Sequence, residues 1–294
     1  MTWLKAQINL HRIDPAPVEE ALNELGAVSI ELSDAKDDPI LEPAPGTTPL
    51  WPNVRLTALF DDAVDETLIR LAVAGSIMDD PLPDMSFTSV EEQDWVANWQ
   101  QSLEPMRFGS NLWICPPGVA CPESGGTVIE LEPGLAFGTG SHPTTALCLE
   151  WLANSGESEG TLLDFGCGSG ILSIAALLLG ARSVTGIDLD EQALTATRRN
   201  ATDNHVAERL NVLSPEQFTR TEPFDRIVAN ILSGTLIALS QEIHGHARKG
   251  TRIALSGILA DQVESVTGAY HTWVNFEPPV FQEDWALLTG TVIK

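Results

Sequence analysis

Residues Thr161–Ile171 read TLLDFGCGSGI, and Ser183–Asp190 read SVTGIDLD. The first is a short apolar run that ends at Asp164 and passes through Gly166, Gly168 and Gly170 into a second apolar run. That order predicts a strand buried on both faces, a glycine turn and an apolar helix. Glycines at these positions let the chain turn sharply and let a ligand approach the backbone, and the helix start offers unpaired N–H groups. A dinucleotide fingerprint needs a glycine at 171, where Ile171 stands. The pattern is instead D-x-G-x-G-x-G, with an acid just before the turn. An acid there repels a pyrophosphate and suits a cationic or amino-bearing ligand. Asp188 ends the next strand, 22 residues after Gly166, where a carboxylate takes the ribose hydroxyls of a nucleoside. Asp190 reads as the N-cap of the helix that follows.

Working outward, strands and helices alternate from about Arg107 to the end of the chain. The apolar runs LLDF and RIVANIL suit strands covered on both sides. The fold class expected for this part is α/β, a Rossmann-like mostly parallel sheet. Within it, Phe224–Leu232 (FDRIVANIL) predicts a strand ending at Asn230, beside the glycine-loop strand. Asn230 reads as a ligand contact in preference to a plain turn residue. Upstream, Leu131–Thr145 (LEPGLAFGTGSHPTT) is a polar, glycine-bearing stretch that enters a helix, a composition common in lids and clamps. Thr144 is an alternative N-cap there, and His142 reads as a packed structural histidine in preference to a general base.

The N-terminal hundred residues differ. Trp3–His11, Ala27–Leu32, Val54–Phe60 and Met85–Val90 read as strands, with helices over Pro15–Leu25 and Val64–Ile77. The order β-α-β-β-α-β predicts a small α+β ferredoxin-like domain. EEQDWVANWQQSL, with Trp95 and Trp99 four apart, reads as a connecting helix that Pro105 ends. The division expected is 1–90, a connector over 91–105, and 106–294.

The chain carries 41 acidic and 16 basic residues, a net charge of −25. Nineteen of the acids and five of the bases fall in the first hundred residues. This field repels nucleic acid and draws basic partners, and it also fits a salt-adapted surface. No apolar run is long enough to span a bilayer, and residues 1–11 lack the pattern of a signal peptide. A cytoplasmic protein without membrane contact is expected. Cys115, Cys121, Cys148 and Cys167 lack zinc-site spacing, so reduced thiols and no metal are expected.

The combination LEPGLAFGTGSHPTT, LLDFGCGSGILSIAA, GIDLDEQA and VANIL, together with DWVANWQ and FGSNLWICPP, closely resembles the bacterial ribosomal protein L11 methyltransferase family. The likeness covers nearly the whole chain. FGTGSHPTT is quite specific to that family, and the glycine loop is common to most class I methyltransferases. Ser141 and Phe165 are small departures.

The resemblance implies a seven-stranded class I methyltransferase domain in which Thr145, Gly166, Asp188 and Asn230 contact S-adenosylmethionine. The glycine-loop reading adds Asp164 and Gly168. The resemblance also implies an N-terminal domain that docks the substrate protein, repeated methylation of lysine side chains and an α-amino group, and a single chain in solution. No dedicated catalytic residue is expected. The donor is already activated, and the backbone carbonyls around Asn230 and Ile231 are read as orienting the amine. Methylation of RNA or of a small molecule is the alternative within the same chemistry. The acidity and the lack of an Asn-Pro-Pro-aromatic run speak against RNA. A nicotinamide-dependent oxidoreductase is the alternative from another class, and Ile171 speaks against it.

Overall fold

The structure is a computed structural model that describes residues 2–36, 40, 49–77, 81–91, 104–119, 121, 126–131, 140–156 and 159–294. The chain forms two compact units, Met1–Asn98 and Trp99–Lys294. The connecting helix expected around Trp95 and Trp99 lies outside the described residues, as do Gly138 and Thr139 of the FGTGSHPTT stretch.

In the first unit the elements are β1 (Thr2–His11), α1 (Pro15–Glu24), β2 (Ser29–Asp34), β3 (Asn53–Asp61), α2 (Glu66–Ser76) and β4 (Asp84–Glu91). They form an antiparallel sheet of order β2-β3-β1-β4. Period-two burial explains the strands. Val54, Leu56, Ala58 and Phe60 of β3 alternate inward and meet Ala6, Ile8 and Leu10 of β1. The helices close that face with Val18, Leu22, Ile69 and Val73. Asp14 and Asp65 cap them by accepting from Ala16 and Thr67 N–H groups.

The second unit opens with a small sheet, β5 (Met106–Phe108), β6 (Leu112–Cys115) and β7 (Thr127–Glu130). After it come α3 (Pro143–Asn154), β8 (Thr161–Phe165), α4 (Ile171–Leu178), β9 (Ser183–Ile187), α5 (Glu191–Asp203), β10 (Leu210–Leu213) and β11 (Arg226–Asn230). The chain continues through α6 (Ser233–Ala238), α7 (Ser240–Gly245), β12 (Arg252–Leu259) and α8 (Val263–Tyr270), and ends with β13 (Val274–Phe276), β14 (Val280–Gln282) and β15 (Trp285–Val292). The sheet order is β10-β9-β8-β11-β12-β15-β13, with β14 also paired to β15. Strands β10 to β12 are parallel, and β15 runs against β12.

The unbroken apolar reading of β8 has a direct cause. Leu162 belongs to a core with Leu147, Ile174 and Val228, whereas Leu163, one residue on, belongs to the opposite core with Ile227, Leu255 and Tyr270. Both faces are covered, so no position on the strand is polar by default. Where seven strands were expected, eight pair into this sheet among the described residues. Pro278 and Pro279, which have no N–H to donate, stand between β13 and β14 and split the last outer strand in two.

A second correction concerns the thiols. Cys115 and Cys121 are joined as a disulfide, with their Cα atoms 6.3 Å apart, and only Cys148 and Cys167 are free and buried. Cys115 ends β6 and Cys121 follows a turn in which Val119 N–H donates to the Pro116 carbonyl, which brings the sulfurs together. Sequence spacing excludes a CxxC pair but says nothing of a looped return.

Candidate active site

The order of strands reverses at β8, with β9 on one side and β11 on the other. A crevice therefore opens at their carboxyl ends, the place where ligands bind in open α/β sheets. Gly166 sits there with φ +82°, and a Cβ added to it would fall 2.4 Å from Ile231 Cγ2. The turn between β8 and α4 is thus pressed against the residue that follows β11, with no room for a side chain. The Gly166 and Cys167 N–H groups both donate to the Ile187 carbonyl, which ties the turn to the end of β9.

Asp188, half-buried, accepts from the Gly168 N–H at 2.9 Å through Oδ2 and from the Asp190 N–H at 3.0 Å through Oδ1. A carboxylate has roughly four lone-pair directions, so acceptor capacity remains toward the crevice. Asp190 caps α5 by accepting from the Gln192 N–H.

Asp164 has a different environment. It is 0 % exposed, its Oδ2 accepts from Ser173 Oγ–H at 2.6 Å, and its Oδ1 has no partner. Burial pushes its carboxyl up to about 7; the nearby Asp188 charge adds to the rise, and the Ser173 bond opposes it. The carboxyl at 164 is thus enclosed between the strand and α4. Strand parity turns this side chain inward beneath α4, where Ser173 meets it.

On the other wall, Asn230 ends β11 and donates from Nδ2 to Thr145 Oγ1 at 3.2 Å. Thr145 is buried in the first turn of α3. Ser256 lies opposite Asn230 in register, and its Oγ–H donates to the Thr144 carbonyl at 3.1 Å. The cap of α3 is His142, whose Nδ1 accepts from the Thr144 N–H, so Thr144 is inside the helix and not its cap. Desolvation lowers the His142 pKa against the pull of Glu283, and its ring stands edge-on to Trp285. One of its two ring nitrogens is thus committed to the helix cap.

Two residues of this site were not singled out from the sequence. Thr197 Oγ–H donates to the Gly168 carbonyl at 2.9 Å, and Asn200 Nδ2 donates to the Ser169 carbonyl at 2.8 Å. Together with Asp188 they hold the glycine turn from both sides. The signal available was polar residues three apart on the buried face of an amphipathic helix, alongside Ala193, Leu194 and Ala201.

A parallel sheet reversed at β8, an antiparallel final strand, a glycine turn with no third dinucleotide glycine and an acid closing β9 together define a class I methyltransferase. Comparison with known proteins narrows this. A family model described as ribosomal protein L11 methyltransferase matches residues 2–292. A protein of that name from Pseudomonas fluorescens (strain SBW25) is 44% identical over 291 residues, covering 99% of each chain. Another, from Methylococcus capsulatus, is 44% identical over 289 residues, covering 98% of each. The crystal structure of a ribosomal protein L11 methylase from Lactobacillus delbrueckii subsp. bulgaricus superposes with a TM-score of 0.60 at 28% identity, covering 65% of this chain and 100% of that one. The chain belongs to the ribosomal protein L11 methyltransferase family.

Proposed function

We propose that the chain transfers methyl groups from S-adenosylmethionine to amino groups of ribosomal protein L11. The observation that carries this reading is the convergence of Asp188, the Gly166–Gly168 turn and the Asn230–Thr145 pair on one crevice at the reversal of the sheet. The residues fit the donor. Asp188 offers acceptors for ribose hydroxyls, and Gly166 and Gly168, both at positive φ, turn the chain beside it without side chains. Thr145 and Asn230 are assigned to the opposite wall, and Asp164 supports the turn from behind through Ser173.

When bound, S-adenosylmethionine supplies a methyl carbon already activated by its sulfonium, so the protein has mainly to align the nucleophile. The carbonyls of Asn230 and Ile231 are assigned to holding the attacking amine. Gly257 keeps that stretch of backbone in place, since a Cβ there would fall 2.4 Å from the Ile231 oxygen. A lysine amine, with an ordinary pKa near 10.4, reacts only when neutral, and removal from water favours that form. No side chain is assigned as a general base.

The acidic unit Met1–Asn98 is assigned to recognition of the basic substrate, and the surplus of acids in the first hundred residues supports this. Removing residues 1–98 is expected to abolish L11 methylation and to leave binding of S-adenosylhomocysteine intact. Loss of both would make the unit structural only. The test of the whole reading is mass spectrometry of L11 incubated with enzyme and labelled S-adenosylmethionine. A mass gain in multiples of one methyl is the expected result, and unmodified L11 would contradict it.

A further inference from the structure

We propose that the hairpin formed by β14 and the start of β15, Val280–Trp285, is a docking strip for an extended, lysine-bearing segment of the protein substrate. The proposal rests on the reading of the crevice as a site for methylating protein amines.

Among the described residues strand β14 pairs along one edge, with Val280, Phe281 and Gln282 opposite Leu287, Ala286 and Trp285. All three of its residues are exposed, although α3 runs close beside the strand. Val280 is 50% exposed and Phe281 52%. Exposed apolar side chains on an open strand edge are a liability that proteins normally blunt with charge, proline or a covering element. Pro278 and Pro279 guard the approach to β14 and leave the strand itself open. An edge of this kind takes an extended peptide, whose main chain adds to the sheet while alternate side chains are read by what flanks it.

The flanking chemistry selects the occupant. Glu283, at φ 53°, and Asp284 form the exposed turn of the hairpin. Among the described residues no lysine or arginine makes an ion pair with either. Apolar surface beside two unneutralised carboxylates matches a lysine side chain, whose methylene stem lies on the one and whose ammonium meets the other. A chain with net charge −25 adds attraction for a basic polypeptide.

Position ties the strip to the chemistry. Ser256 pairs with Asn230, and Leu259, three residues further along β12, pairs with Trp285. The hairpin turn therefore stands beyond Asn230 at the same carboxyl end of the sheet, past the irregularity in β12 between Leu255 and Ile258. The Ala260 N–H donates to the Asp284 carbonyl and holds the turn there. Trp285 packs against His142, which caps the helix that carries Thr145 to Asn230. A segment lying along β14 thus has the crevice within a few residues of its length.

The test is steady-state methylation of ribosomal protein L11 by the full chain and two variants, Val280→Ser with Phe281→Ser and Glu283→Gln with Asp284→Asn. Calorimetric titration with S-adenosylhomocysteine reports in parallel whether each variant is folded. The apolar pair is expected to raise KM for L11 about tenfold with kcat and product affinity within about twofold of wild type. The charge pair is expected to raise it about threefold and to flatten its dependence on salt. An unchanged KM for L11 in every variant that binds S-adenosylhomocysteine would overturn the proposal; if the apolar variant fails to fold, the charge variant decides alone. Wild-type enzyme that leaves L11 unmethylated would overturn the functional reading itself, and the docking strip with it.

Discussion

Asn230 at the end of β11 and Thr145 in the first turn of α3, 85 residues apart in sequence, meet through a 3.2 Å hydrogen bond. The amide donates to the hydroxyl oxygen of a buried threonine, and Ser256 on the neighbouring strand fastens the preceding carbonyl of the same helix turn. The entry of α3 is therefore fixed to the carboxyl ends of two central strands. That contact orients the Asn230 side chain, whose carbonyl, with that of Ile231, is the one assigned above to the reacting amine.

Removing this contact should cost turnover more than stability. Asn230→Ala is expected to lower kcat/KM about 100-fold, in line with the cost of misplacing a reacting group. Thr145→Val, which keeps shape and loses the acceptor, is expected to lower it about tenfold, and the double variant should fall well short of the product of the two. Steady-state methylation assays check this. Wild-type turnover in Asn230→Ala would contradict the assignment.

Asp164 gives the protein a pH dependence of defined sign. Its folded pKa, about 7, lies above the ordinary 3.8. Between those values the unfolded chain has lost the proton that the folded chain retains, so the buried acid is most favourable below about pH 4, and its contribution is lost as pH rises toward 7. Asp164→Asn cannot ionise. Its melting temperature, relative to wild type, is expected to be several degrees higher at pH 8 than at pH 5. A difference independent of pH would contradict the buried, raised carboxyl.

Thr197 and Asn200 hold the glycine turn through the carbonyls of Gly168 and Ser169. Thr197→Val with Asn200→Ala is expected to raise KM for S-adenosylmethionine about tenfold and to leave KM for L11 unchanged, because each lost bond contributes about 1 kcal/mol to the shape of the turn. A rise in both constants would mean a general loosening of the fold.

Much of this was legible in the sequence, for reasons the structure makes plain. The run TLLDF could only be a strand sealed on both faces, and Leu162 and Leu163 do enter opposite cores. Asp188 was legible because distance from the glycine turn places it at a strand end, and Asp190 because a carboxylate before a helix caps it. The burial of Asp164 was not legible, because side-chain parity at a strand end is not written in composition. Its partner Ser173 lies nine residues on and looks like an ordinary helix residue. His142 takes the cap in place of the threonine because the helix starts one turn position earlier, at Pro143, and its ring nitrogen reaches the Thr144 N–H. The Cys115–Cys121 bridge and the split of the last outer strand depend on how the chain doubles back, which local pattern does not record.

The central claim is that Asp188, beside the glycine turn, holds the nucleoside of the methyl donor. Its most direct test is calorimetric titration of S-adenosylhomocysteine into the wild-type chain and into Asp188→Ala. Wild type should bind with measurable heat, and the variant should bind about 100-fold more weakly, the cost of losing a charged acceptor from two hydroxyls, with an unchanged far-ultraviolet dichroism spectrum. Equal affinity in the two proteins, or no heat with wild type, would contradict it.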